Sequence, residues 1–127
     1  MESYKSRVEA AVEVHATWLR MEAKGFAPKD ITEPKRRNTE RFAVIFMNSF
    51  ESTIQNALRD GVSPVCLTEF TVELEPSDTY ERMLMMVQFI VCRLQVAGYS
   101  AWVEETHPET ESVKPQVGSN YKVMMRV

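Results

Sequence analysis

Glycine is scarce in this chain: Gly25, Gly61, Gly98 and Gly118 are the four in 127 residues, and each stands alone. A phosphate-cradling loop needs clustered glycines, so no Walker-type or dinucleotide-type loop is written here. Single glycines at such spacing serve as helix stops and turn residues. Cysteine is scarcer still. Cys66 and Cys92 make no disulfide framework, and each lies in an apolar run. Both are expected as buried, reduced thiols, which suits a reducing compartment.

The chain also lacks long apolar runs. The longest, Met83 to Val91, is interrupted by Gln88 and falls far short of the roughly 20 residues that span a bilayer. The opening residues, MESYKSRVEAAVEV, have no apolar core of the secretory-signal kind. The expected location is intracellular, in cytoplasm or nucleus or within a virion, with no membrane partner. There is no excess of positive charge. A net charge of -3 and a pI near 5.5 make a weak starting point for sequence-independent nucleic-acid binding or for attraction to anionic lipid.

What is present is ordinary for a folded domain: 44% hydrophobic and 26% charged residues. A single α+β domain over residues 1–127 is expected, and a chain of this length buries roughly two-thirds of its unfolded surface. Tyr4, Val8, Ala11, Val12, His15, Leu19 and Ala23 recur at three- and four-residue steps, predicting a helix over about 3–24 that stops at Gly25. Residues 26–38, with Pro28, Pro34 and the run Lys35, Arg36, Arg37, are expected as a loop. A second helix is predicted over about 40–59, its buried stripe running Phe42, Ala43, Phe46, Met47, Phe50, Ile54, Ala57 and Leu58, widened by Ile45.

The second half alternates. A strand over about 65–74 puts Cys66, Thr68, Phe70, Val72 and Leu74 on one face. A third helix over about 79–97 follows, with Asp78 and Glu81 at capping-box spacing. Strands over about 99–106 and 121–127 close the chain, around a polar loop over 107–120. Together the elements predict two N-terminal helices packed with a C-terminal β-α-β-β unit. Its three-stranded sheet is mixed or antiparallel, with insertion of the last strand between the other two favoured because every neighbouring pair is then antiparallel. The third helix is apolar almost all round, so it must be covered on most sides, by the sheet and by the first two helices or a partner.

Residues with chemical potential are few. His15 lies on an apolar helix face without a second histidine or a cysteine one turn away, and is expected as a packed histidine rather than a ligand. Glu104, Glu105, His107, Glu109 and Glu111 could supply oxygen and nitrogen ligands, but their spacing matches no ion loop, and a solvated acidic segment is the reading adopted. No G-x-S-x-G elbow is present. Lys35, Arg36, Arg37 and Arg41 are candidates for an anion or nucleic-acid contact, although no aromatic residue interleaves the run. Eight methionines are present. Met85, Met86 and Phe89 lie beside the main stripe of the third helix, and thioethers adapt to irregular partners. With Trp102, whose sheet face is open from sequence, they form the candidate partner interface.

The resulting expectation is a non-catalytic interaction or structural protein acting through self-association or a protein partner, with no catalytic residue, metal or cofactor assigned. The strand 121–127 is a second candidate contact, as a sheet edge. Two alternatives stand beside it: a nucleic-acid-associated protein using residues 35–41, and a small enzyme whose site is assembled around His107 with Glu104 or Glu105.

Overall fold

The structure is a computed structural model that describes residues 11–27, 30–73, 78–108 and 117–127, without the side chains of 11–13 and 78–80. Several expectations lie outside it: helix over 3–10, the place of Leu74, the Asp78 side chain of the capping pair, and the roles of Glu109 and Glu111.

Among the described residues three helices and three strands follow in the order α1 (Ala11–Ala23), α2 (Glu33–Asp60), β1 (Val65–Thr71), α3 (Asp78–Val96), β2 (Ser100–Thr106) and β3 (Asn120–Arg126). The fold is α+β. β3 sits in the middle of a three-stranded sheet of order β1-β3-β2, antiparallel to both neighbours. The last strand is thus inserted, and the notion of 121–127 as a sheet edge does not hold: both of its backbone edges are used by the ladders. β1 and β2 are the edges.

All three helices end alike. In each, the amide after the final glycine reaches back five residues: Phe26 to Met21, Val62 to Ala57 and Tyr99 to Leu94, at 2.9, 2.9 and 3.0 Å. Gly61 shows why the residue must be glycine, since its φ of 68° is left-handed and costs any side chain a steric clash.

The start of α2 departs from expectation. Residues 33–38 are helical, not loop. Pro34 occupies the first turn, where a missing N–H costs nothing because the first amides have no intrahelical partner, and where proline's fixed φ already suits a helix. A proline that looked like a linker is a helix opener, and Lys35, Arg36 and Arg37 are carried on helical turns.

β1 contains a bulge. Cys66 pairs with Met124, but Thr68 pairs with Val123, leaving Leu67 as the extra residue. The slip reverses the expected alternation at its start: Leu67 is buried and Cys66 is exposed. Cys66 is therefore not a core thiol. Cys92 is buried as expected, and both are unbridged.

The core lies between the sheet's inner face and the helices, with α3 at its centre. Val87, Phe89, Ile90, Val91, Cys92 and Leu94 of α3 are all buried. They pack with Trp18 and Met21 of α1, with Ala43, Met47, Phe50 and Ile54 of α2, and with Leu67, Ala101, Val123 and Met125 of the sheet. The stripe of α2 that faces inward is narrower than its apolar content. Phe42, Ile45 and Leu58 are 55, 60 and 61% exposed, because residues 43, 47, 50, 54 and 57 already fill the contact and their neighbours fall one step of about 100° aside.

Candidate functional site

The N-terminal half of α3 is less deeply covered than its C-terminal half: Met83, Leu84, Met85 and Met86 are half-buried, whereas residues 89–94 are all buried. Two grooves flank it. One, of about 580 Å³, runs between α3 and the first turns of α2. Met83, Met85 and Met86 line it from α3, Phe42 from α2, and its charged lining residues are Lys35 and Arg82. The other, of about 490 Å³, lies between α3, the Gly25–Ala27 turn and the sheet, and its charged lining residues are Glu81 and Glu105. Met85 borders both, so one methionine separates a cationic from an anionic hollow.

Local contacts fix this arrangement. The Thr39 hydroxyl donates to the Lys35 carbonyl at 2.9 Å and sits 3.8 Å from the Met85 sulfur. On the opposite side of α2, the Trp18 indole N–H donates to Glu40 at 2.7 Å, and the ring meets Phe89 at 5.2 Å between centroids. Arg36 lies over the Trp18 ring at 5.1 Å and pairs with Glu22 at 3.6 Å. Phe89 is therefore a core residue, 2% exposed, and is withdrawn from the partner interface; Met85 and Met86 remain accessible.

The four candidate cations of residues 35–41 are not gathered. Successive residues of a helix point about 100° apart. Lys35 lines the groove, Arg36 stacks on α1, Arg37 pairs with Glu33 at 3.2 Å on the surface, and Arg41 is exposed. Arg82, which joins Lys35, was missed from sequence because the two are distant in the chain and only helix packing brings them together.

Trp102 is half-buried on the sheet's outer face, in a cross-strand row with Met124 and Cys66, beside the row Glu104, Lys122, Glu69. Its indole N–H donates to Glu104 at 3.4 Å, and the Arg126 guanidinium lies 5.6 Å above its ring. This face is occupied by its own polar contacts. Asn120 accepts from the Thr71 hydroxyl and donates to Glu69, at 3.1 and 2.9 Å. Partial burial first, and then the Glu69 carboxylate, push the Cys66 thiol above the ordinary range. Burial does the same to Cys92. Both shifts favour the neutral thiol, the opposite of what a nucleophilic cysteine needs.

His107 does find partners. Its Nδ1 is 3.0 Å from the Ser119 hydroxyl, and its Nε2 is 3.5 Å from Glu105. The order Ser–His–Glu resembles a hydrolytic triad, but Ser119 has no exposed surface, so no substrate carbonyl can reach its oxygen. The Ser119 carbonyl accepts from the Val72 amide at 2.9 Å, and the Val72 carbonyl accepts from Gly118 at 2.7 Å. The cluster fastens the end of β2 and the exit from β1 to the start of β3. Glu104 points to the opposite face, as strand alternation requires. His15 is exposed rather than packed. Among the described residues no three His, Cys, Asp or Glu side chains converge in a way that would hold a metal ion. Among the same residues no helix is long and apolar enough to cross a membrane.

Compared with known proteins, the chain matches no family model, no curated protein and no solved structure.

Proposed function

We propose that the chain is a non-catalytic interaction protein whose contact surface is the methionine-floored groove between α2 and α3. The observation that carries this reading is the groove itself: Met83, Met85, Met86 and the half-exposed Phe42 form an apolar floor that is still partly open, although Met85 and Met86 also pack against the core. Flexible thioethers mould to varied apolar side chains, which suits a surface that receives a helix or loop of another protein. The triad-like cluster at His107 does not compete, because its hydroxyl is buried. The dispersal of Lys35, Arg36, Arg37 and Arg41 around α2 weighs against a common phosphate grip. Two unbridged thiols fit a reducing compartment: cytoplasm, nucleus or virion interior.

The test is selection from a displayed library of helical peptides against the native chain and against Met86→Glu. Enrichment of related sequences on the native chain, lost on a variant with an unchanged circular-dichroism melt, is the expected result. No enrichment, or equal capture by both chains, would sink the reading.

A further inference from the structure

The charge of the groove specifies its occupant. The protein as a whole carries a net charge of -3, yet among the described residues the charged side chains lining this groove, Lys35 and Arg82, are both cationic and both exposed. Phe42, which lines the groove from α2, is itself 55% exposed. An apolar trough with a cationic rim is complementary to a helix that is apolar along one edge and acidic beside it. A second copy of this chain fits less well where its exposed apolar helix residues Leu19 and Phe42 adjoin Arg20 and Arg41, which would bring positive charge to a positive rim. Val44, Ile45 and Leu58, whose neighbour Arg59 pairs with Asp60 at 3.3 Å, carry no such penalty, so a second copy is an outcome the test distinguishes.

We propose that the groove receives an acidic amphipathic helix from another protein, resting on the interaction reading above. Apolar residues at i, i+4 and i+7 of that helix pack on Met83, Met86 and Phe42, while its flanking carboxylates meet Lys35 and Arg82. Because the rim is solvent-exposed, the charges act mainly on selection and encounter rate, and the methionine floor holds the complex.

Two labelled synthetic helices of about 16 residues, four to five turns long, test this. Both carry the same leucines and phenylalanines; one has glutamate on the flanks and the other lysine. Each is titrated by fluorescence anisotropy with the full native chain, with the Lys35→Glu/Arg82→Glu double variant and with Met86→Glu, at low and high salt. Both altered rim residues are exposed, so an unchanged melt is expected. The acidic helix should bind the native chain at least tenfold more tightly than the basic one, weaken with salt, and weaken at least tenfold on the double variant. Failure of the acidic helix to bind at about 100 µM, or its undiminished binding to the double variant, overturns the proposal. Equal binding of both helices that is lost on Met86→Glu overturns the acidic specificity and leaves the interaction reading in place. Binding indifferent to Met86→Glu removes both. Light scattering that finds a native dimer dissolved by the double variant names a second copy as the occupant, and likewise overturns the proposal.

Discussion

α2 and α3 both carry more apolar residues than one stripe requires, and the fold treats the two surpluses in opposite ways. The C-terminal half of α3 lies between the sheet and the other two helices, so its surplus is consumed: Phe89 meets Trp18, Val91 and Cys92 are buried, and every residue from 89 to 94 is covered, while Met83, Met85 and Met86 at the other end stay half-buried on the groove. α2 contacts the body along a single narrow stripe, so Phe42, Ile45 and Leu58 stay in water. An apolar excess in a sequence therefore does not say where a partner binds. What decides is whether the rest of the chain reaches around the helix, and here it reaches around the central helix and not the peripheral one.

That contrast can be broken most severely at Phe89. Phe89→Ala should cost about 3–5 kcal/mol, the range for a fully buried phenylalanine, measured by urea denaturation. A loss under about 1 kcal/mol would mean that α3 is open where it is drawn closed. A smaller effect is expected at the joint that ties α2 to α1. Glu40→Gln keeps the shape but replaces a charged acceptor with a neutral one opposite the Trp18 indole, and should cost about 1 kcal/mol; an unchanged melt together with an unchanged tryptophan emission would remove that contact from the account. The smallest effect sharpens the comparison. Phe42→Asp should leave stability within about 0.5 kcal/mol, as for a surface site, while weakening peptide capture in the groove. Destabilisation on the scale of Phe89→Ala would instead assign Phe42 to the core.

Much of the architecture was legible because periodicity and punctuation agree. Gly25, Gly61 and Gly98 each end a helix, and the three apolar strands and the nearly all-apolar helix between the first two predict a layered α+β arrangement. Three of the local departures from expectation have distinct physical causes. Pro34 suggests a loop in sequence, but the first helical turn tolerates proline. Strict alternation points Cys66 inward, and a one-residue bulge at Leu67 breaks it. The apolar stripe of α2 predicts Phe42 and Leu58 in the core, but the contact is narrower than the stripe and both are exposed. Of the interface candidates, Met85 and Met86 lie on the groove, Phe89 does not, and Trp102 belongs to the outer sheet face under Arg126.

By itself the sequence determined the kind of element at most positions, because the hydrophobic period and the glycine stops act through near neighbours along the chain. It also determined that the third helix would be central, since only burial on several sides accommodates so apolar a surface. Tertiary structure alone decided that Lys35 and Arg82 line one groove, that His107 approaches a buried Ser119, and which apolar helix residues keep their excess in solvent. Those outcomes depend on contacts between segments far apart in the chain, set by how the helices and sheet pack, and no spacing within one segment encodes them.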